Sequence, residues 1–134
     1  MDIKKVVVIG SGTMGSGIAA HLCNANVPVI LLDLTTEISE KARDRIHKSR
    51  PPLLLDKTKI ENIKVGNIND NFDAVKEADW VVEAVVERID IKHNIYEKIF
   101  KNRKQGAIVS SNTSSIPIKV LSEKLTEEEK KDFC

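Results

Sequence analysis

The chain has 134 residues, a length that predicts one domain built around a single hydrophobic core. Its 21 basic and 20 acidic residues leave a formal charge of +1, which excludes the strongly basic footprint of proteins that bind nucleic acid or anionic membranes. The two cysteines provide no disulfide framework, and no apolar run has the length of a membrane span or the pattern of a signal peptide, so we expect a cytoplasmic protein.

The first predicted element is an apolar strand at residues 6–9 that runs into a glycine-rich stretch, here called the glycine turn, Gly10-Ser11-Gly12-Thr13-Met14-Gly15. Gly10 can make the tight turn, Gly12 lets a pyrophosphate approach the backbone, and Gly15 lets the next helix pack close to the strand. The amides at the start of that helix stabilise phosphate charge. The glycine turn, with Thr13 and Met14 in it, is therefore predicted to bind a dinucleotide.

A second apolar strand at residues 29–32 leads into Asp33, which lies 18 residues after Gly15. Dinucleotide-binding folds place an acid near this position to accept hydrogen bonds from the adenosine ribose, and its charge would repel a 2′-phosphate. No Arg or Lys occurs in the next three residues, so NAD is favoured over NADP as the cofactor. The alternative is a glycine-rich turn in an unrelated α/β domain.

The middle of the chain contains weaker signals. A helix is predicted over about residues 36–49, because its apolar residues recur at fourfold spacing. The apolar run 53–55 is expected to be a covered loop or a contact surface. Alternation of Ile63 and Val65 predicts a short third strand, and residues 69–71 are expected to cap a short helix.

Two further strands follow. Residues 80–86 are nearly all apolar, which is typical of a parallel strand covered on both faces. Asp90 is expected to cap the next helix, and residues 107–110 to form a fifth strand. A polar cluster at residues 111–115 comes at the carboxyl end of that strand, and Pro117 opens another helix.

This alternation of strands and helices predicts an α/β fold, a doubly wound, Rossmann-like parallel sheet with strand order 3-2-1-4-5 and helices on both faces. Residues 1–134 then form one dinucleotide-binding domain, and the cofactor crosses the switch point between the first and fourth strands. The fifth strand lies at the edge of the sheet. Its backbone is expected to favour self-association unless the tail of the chain covers it.

A lysine in an unfavourable place marks a second candidate binding region. Lys92 lies in the first turn of a predicted helix, where the helix dipole disfavours a cation. An anionic partner would explain this position better than helix stability does, and the alternative is a solvated lysine. Glu87, five residues earlier, could pair with Lys92 or accept hydrogen bonds from a ribose.

Taken together, these residues resemble the NAD-binding domain of the 3-hydroxyacyl-CoA dehydrogenases of fatty-acid β-oxidation, over essentially the whole chain. Three motifs carry the resemblance: Gly10-Ser11-Gly12-Thr13-Met14-Gly15-Ser16-Gly17-Ile18-Ala19, then Val82-Glu83-Ala84-Val85-Val86-Glu87 with Lys92, and Ser111-Asn112-Thr113-Ser114-Ser115. The resemblance implies that Asp33, Glu87 and Lys92 contact NAD. It also implies that Ser114 lies beside the nicotinamide and hydrogen-bonds the 3-oxygen of the substrate, with no metal involved.

In that family a histidine takes the hydroxyl proton while hydride passes to the nicotinamide, and a glutamate orients the histidine. The histidine belongs to a His-Phe-Phe-Asn-Pro type of segment, which these 134 residues do not contain, and the helical acyl-CoA-binding and dimerisation domain is absent as well. The resemblance therefore implies a chain that oxidises L-3-hydroxyacyl-CoA only with those missing parts, as a homo-oligomer or with a second polypeptide, and that is inactive alone.

Two other interpretations stay open. A β-hydroxyacid dehydrogenase would share the Gly-x-Gly-x-Met-Gly pattern, but that class differs at the fifth strand, where this chain has Ser-Asn-Thr-Ser. A non-catalytic NAD-binding or interaction subunit, or a remnant of an enzyme, would keep the cofactor site without turnover.

Overall fold

The computed structural model describes residues 3–49, 52–113 and 115–134. At its centre is a five-stranded parallel sheet with the order β3-β2-β1-β4-β5. The strands are β1 (Val6–Ile9), β2 (Val29–Asp33), β3 (Ile63–Asn67), β4 (Trp80–Glu83) and β5 (Ile108–Ser111). The fold class and the strand order predicted from the sequence are confirmed.

Helices cover both faces of this sheet. They are α1 (Thr13–Asn24), α2 (Thr36–Lys48), α3 (Ile89–Asn102), α4 (Ile118–Leu121) and α5 (Glu127–Lys130), with 3₁₀ turns at Lys57–Asn62 and Phe72–Glu77. Alternate residues of β1 point to opposite faces, so Val6 and Val8 join the core under α1 and α2, whereas Val7 and Ile9 join the core under α3. No helix in the described part of the chain is long and apolar enough to cross a membrane.

Strand β1 lies in the middle of the sheet and fixes where the candidate site sits. Its last residue, Ile9, is in register with Leu32 of β2 on one side and with Glu83 of β4 on the other. Asp33 and Glu83 therefore end the two strands that flank the glycine turn. This is the switch point at which doubly wound sheets bind their ligands.

Several predicted boundaries and caps are wrong. Strand β4 ends at Glu83 rather than at residue 86, because the Glu83 carboxylate accepts the Val85 amide and the backbone turns away. Asp90 lies inside the first turn of α3, whose N-cap is Arg88, and it forms an ion pair with Arg88 at 3.0 Å. Asn71 precedes its 3₁₀ turn, but its side chain accepts the Asn67 amide instead of capping.

The apolar run at residues 53–55 is split between the two environments expected for it. Leu54 is buried, whereas the Leu55 side chain is 87% exposed and Leu53 is exposed as well. The amide of Leu55 donates to the Asn24 side chain at the end of α1. Only the middle residue of the run is therefore covered by the core.

The outer edge of β5 is covered by the last residues of the chain, which is the exception that the sequence analysis left open, so this edge does not favour self-association. The Val109 amide donates to the Asp132 carbonyl at 2.8 Å, and the Cys134 amide donates to the Val109 carbonyl at 2.9 Å. Phe133 anchors this segment, because its ring is buried against Tyr96 with centroids 4.9 Å apart. Burial of one aromatic ring thus brings backbone partners to an edge strand that sequence order alone left unpaired.

Candidate functional site

The glycine turn has a shape that only glycine can form at two of its positions. Gly10 has a φ of +103°, and a Cβ there would lie 2.3 Å from the Ala84 carbonyl oxygen. At Gly15 a Cβ would lie 1.9 Å from the Gly10 carbonyl oxygen, because α1 crosses close to the turn. At Gly12, in contrast, no atom lies within 4 Å of a built Cβ. Packing does not require glycine at Gly12, and the open backbone there leaves room for a ligand.

The turn opens into a cavity of about 540 Å³ at the carboxyl ends of β1, β2 and β4. Its lining is mainly apolar, with the carboxylate of Asp33 and the guanidinium of Arg45 as the charged groups among the described residues. The apolar lining comes from the start of α1, from α2, from α3 and from the loops after β3 and β4, including Met14, Ile38, Ile68, Val85, Val86, Ile91 and Ile95. An apolar cavity with few charged groups is typical of a nucleotide or cofactor site.

Asp33 has capacity left for a ligand. Its Oδ2 atom accepts the Ser11 amide at 2.8 Å and the Ser11 hydroxyl at 2.5 Å, and its Oδ1 atom accepts the Leu34 amide at 2.7 Å. An ionised carboxylate offers about four lone-pair sites, so one site remains after these three bonds. Asp33 is half-buried at the cavity, where that remaining site suits a ribose hydroxyl.

Arg45 is a cavity residue that the sequence reasoning missed. The reasoning considered only the three residues after Asp33, but α2 folds back and brings Arg45 to the same cavity. Its Nη2 atom donates to the Ser11 carbonyl at 3.0 Å. Helical periodicity could have revealed it, because Ile38 and Arg45 are two turns apart on α2 and both line the cavity.

At the end of β4, on the other side of β1, lies a group of charged and polar side chains, here called the Glu83 network: Glu83, Glu87, Lys92, Tyr96 and Ser111. Glu83 Oε2 accepts the Lys92 ammonium at 2.6 Å and the Val85 amide at 2.8 Å. Glu83 Oε1 accepts the Tyr96 hydroxyl at 2.5 Å and the Ser111 hydroxyl at 2.6 Å. Burial and the Glu83 carboxylate raise the pKa of Tyr96, so its hydroxyl stays protonated and donates.

Lys92 is fully buried, so the alternative of a solvated lysine is wrong. It has the anionic partner that its place in the first turn of α3 predicted, but that partner is a side chain of the protein, Glu83. Sequence reasoning missed Glu83 as this partner. The signal was present, because Glu83 is a lone acid within an otherwise apolar run, and such a residue must be paired when it is buried.

Glu87 extends the network to the loop after β5. Its Oε1 atom lies 3.0 Å from Lys92 Nζ, which confirms the predicted pairing of these two residues. Its Oε2 atom accepts the Thr113 hydroxyl at 3.0 Å, the Ser115 amide at 3.0 Å and the Ser115 hydroxyl at 2.7 Å. The Ser115 hydroxyl, followed by Lys92, lowers the pKa of Glu87 to about 2. Ser114 lies outside the described residues.

Comparison with known proteins agrees with this geometry. A family model described as "3-hydroxyacyl-CoA dehydrogenase, NAD binding domain" matches residues 5–133. A Deinococcus radiodurans protein named "Probable 3-hydroxyacyl-CoA dehydrogenase" is 40% identical over 140 residues, covering 99% of this chain and 40% of that protein. A peroxisomal fatty acid beta-oxidation multifunctional protein of Arabidopsis thaliana is 37% identical over 128 residues, covering 91% of this chain and 18% of that protein.

Solved structures agree as well. The crystal structure of 3-hydroxybutyryl-CoA dehydrogenase from Escherichia coli K12 superimposes with a TM-score of 0.85 at 26% identity, covering 99% of this chain and 29% of that chain. This chain thus spans 40% or less of the length of these three relatives. The match nevertheless runs through almost all of its own length. The chain therefore belongs to the 3-hydroxyacyl-CoA dehydrogenase NAD-binding domain family, and its cofactor is NAD.

Proposed function

We propose that this chain supplies the cofactor half of an NAD-dependent 3-hydroxyacyl-CoA dehydrogenase of fatty-acid β-oxidation, which converts L-3-hydroxyacyl-CoA to 3-oxoacyl-CoA. The observation that carries the proposal is the family match over residues 5–133, made by a chain whose glycine turn and cavity suit a dinucleotide. Bound NAD supplies the hydride acceptor. The name of the Arabidopsis relative, a fatty acid beta-oxidation protein, supports the substrate class.

In this proposal the glycine turn holds the pyrophosphate. Gly10 and Gly15 keep the turn tight against Ala84 and α1, while Gly12 leaves the backbone open. The first amides of α1, at Thr13 and Met14, have no carbonyl of their own helix to bind, so they can donate to phosphate oxygens. The turn residues therefore act through the backbone rather than through side-chain chemistry, and they are Gly10, Gly12, Thr13, Met14 and Gly15.

The other proposed contacts lie on either side of the turn. Asp33 accepts a hydroxyl of the adenosine ribose at its remaining lone-pair site, and this favours NAD over NADP. Glu87 contacts NAD on the β4 side, and the buried Lys92 acts on the cofactor through its ion pair with Glu87. Ser114 hydrogen-bonds the substrate 3-oxygen, and the anchoring of its neighbours Thr113 and Ser115 by Glu87 supports this role.

These 134 residues by themselves are proposed to lack turnover. Abstraction of the hydroxyl proton needs a base within hydrogen-bond reach, and loss of a general base typically costs about 10²- to 10⁴-fold in rate. Of the three histidines, His93 is the one on α3, and its Nε2 atom lies 3.1 Å from the Val120 carbonyl, away from the NAD cavity. The acyl-CoA would bind through a further domain, in a homo-oligomer or with a second polypeptide.

The test follows NADH absorbance with acetoacetyl-CoA, first for the 134-residue chain and then after addition of a polypeptide that carries the missing histidine, glutamate and helical domain. We expect cofactor binding without turnover in the first case and restored turnover in the second, once the two halves assemble. Turnover by the purified chain alone would contradict the proposal. His93→Ala would then be the first variant to examine.

A further inference from the structure

Ser11 connects the glycine turn to the Asp33 carboxylate. This serine is 1% exposed, and both its amide and its hydroxyl donate to the Oδ2 atom of Asp33, at 2.8 Å and 2.5 Å. A carboxylate oxygen has two lone-pair directions, so the two donors of Ser11 occupy both directions on Oδ2. That oxygen therefore has no acceptor site left for a ligand.

The other oxygen of the Asp33 carboxylate keeps one site for a ligand. Its Oδ1 atom accepts the Leu34 amide at 2.7 Å, and this bond leaves one of its two lone-pair directions unused. Asp33 lines the cavity at the glycine turn, so a ligand in that cavity can reach the unused direction. The carboxylate can therefore accept one ribose hydroxyl, but it cannot accept two neighbouring ones.

The position of Ser11 is fixed from its carbonyl side as well. Ser16 Oγ on α1 and Arg45 Nη2 on α2 donate to the Ser11 carbonyl, at 2.9 Å and 3.0 Å. The Ser11 hydroxyl is buried, so a hydroxyl that left Asp33 would lose its acceptor without gaining water in return, which is costly. The bond between Ser11 and Asp33 is therefore expected to persist when a ligand enters the cavity.

We propose that Ser11 is a specificity-determining residue of the cofactor site, because its hydroxyl limits Asp33 to a single hydrogen bond with the adenosine ribose. This inference rests on the proposed function, in which Asp33 binds that ribose. Acids at this position of dinucleotide-binding folds bind the ribose 2′-hydroxyl. The single site is therefore assigned to the 2′-hydroxyl, and the 3′-hydroxyl donates no hydrogen bond to Asp33.

The consequence is an asymmetry between two hydroxyls on neighbouring carbons of one ribose ring. Removal of the 2′-hydroxyl breaks a charge-assisted hydrogen bond, which lowers affinity about tenfold or more. Removal of the 3′-hydroxyl breaks no bond to Asp33. If the Ser11 hydroxyl were absent, Oδ2 would regain a lone-pair direction, and each of the two ribose hydroxyls could then donate to its own carboxylate oxygen.

The test uses ADP, 2′-deoxy-ADP and 3′-deoxy-ADP as probes, because they contain the adenosine ribose and a pyrophosphate but no nicotinamide. Titrations followed by NMR amide shifts measure their dissociation constants for the wild-type chain. We expect 2′-deoxy-ADP to bind about tenfold more weakly than ADP, and 3′-deoxy-ADP to bind within about twofold of ADP. Equal losses for the two deoxy probes, or no loss for 2′-deoxy-ADP, would overturn the proposal.

Ser11→Ala is the variant that frees the Oδ2 atom of Asp33. For this variant we expect 3′-deoxy-ADP to bind several-fold more weakly than ADP, because the 3′-hydroxyl of ADP then has an acceptor. The matched control is Ser16→Ala, which removes another buried hydroxyl, one that donates to the Ser11 carbonyl instead of Asp33. The control should keep the wild-type pattern of affinities for the three probes.

A merely structural role of Ser11 gives a different result. Ser11→Ala would then weaken all three probes by the same factor, and unchanged ratios between the probes would contradict the proposal. The wild-type measurements need no variant, so they test the proposal even if Ser11→Ala does not fold. A wild-type chain that binds ADP and NAD with the wrong pattern would overturn the role of Ser11 alone. A chain that binds neither nucleotide would overturn the proposed function together with it.

Discussion

Two acidic residues end the strands on either side of β1, and they have opposite environments. Asp33 ends β2, is half-buried and takes its hydrogen bonds from the turn and the next residue along the chain. Glu83 ends β4, is fully buried and accepts four hydrogen bonds, from a lysine, a tyrosine, a serine and a backbone amide. An acid at a strand end is thus available to a ligand only where the protein leaves a lone pair unused.

The difference comes from the groups that face each carboxylate. Helix α3 places Lys92 and Tyr96 four residues apart on one face, and both side chains reach Glu83. On the other flank, Asp33 faces the backbone of the glycine turn, and its hydrogen bonds come from two backbone amides and one hydroxyl. The Glu83 carboxylate is therefore enclosed by side chains of the protein, whereas the Asp33 carboxylate is left open toward the cavity.

The largest effect is expected for Glu83→Ala. The variant leaves the buried Lys92 with only the partly exposed Glu87, and it removes the acceptor for the Tyr96 hydroxyl. Removal of one partner of a buried ion pair destabilises a protein by about 3–5 kcal/mol. Urea unfolding followed by circular dichroism would measure this loss.

The control is Glu77→Ala, which breaks an exposed pair with Lys5 and should cost less than about 1 kcal/mol. Similar small losses for both variants would show that the Glu83 network does not stabilise the fold.

Asp33→Ala should have its main effect on the ligand instead. Loss of a charge-assisted hydrogen bond costs roughly 1.5–3 kcal/mol, or about tenfold to a hundredfold in NAD affinity. Discrimination against NADP should relax, because the repelling carboxylate is gone while the Arg45 guanidinium still lines the cavity. Titration of both variant and wild type with NAD and NADP measures these effects. Equal affinities of the wild type for the two cofactors would remove the proposed role of Asp33.

Substitution of two glycines distinguishes an effect on NAD binding from an effect on the stability of the fold. Gly17→Ala places a methyl group inside α1 where no atom lies within 4 Å, so it should stabilise the fold by about 1 kcal/mol and leave NAD affinity unchanged. Gly12→Ala meets equally open space but lies where the pyrophosphate approaches. It should weaken NAD binding with little change in stability. Unfolding curves should therefore shift for Gly17→Ala only, and NAD titrations should shift for Gly12→Ala only.

The smallest expected effect concerns acid stability at Glu87. Its pKa is lowered from the ordinary 4.5 to about 2, so its interactions stabilise the fold fully above pH 4.5. That contribution is lost as the pH falls toward 2, when the folded protein must also take up the proton. Urea midpoints of wild type and Glu87→Gln should therefore converge across this window. A constant difference between the two midpoints down to pH 2 would contradict the lowered pKa of Glu87.

The framework of the fold, the glycine turn and Asp33 could be predicted from the sequence. Apolar strands, helical periodicity and the glycine pattern predicted the strand order, the turn and Asp33. These features are encoded locally, because a tight turn needs glycine backbone geometry and a doubly covered strand needs an apolar run. The pairing of Glu87 with Lys92 was also within reach, since the two residues are close in sequence.

The partners of the charged groups and of the β5 edge, in contrast, follow from tertiary packing. Three contacts join residues from different elements. Lys92 pairs with Glu83, Arg45 approaches the cavity, and the tail covers β5. A sequence pattern shows that a charged residue is present, but it does not predict how much water remains around that residue once helices and strands pack. Because burial decides whether a carboxylate binds its own protein or a ligand, the roles of Asp33 and Glu83 separate only in the folded chain.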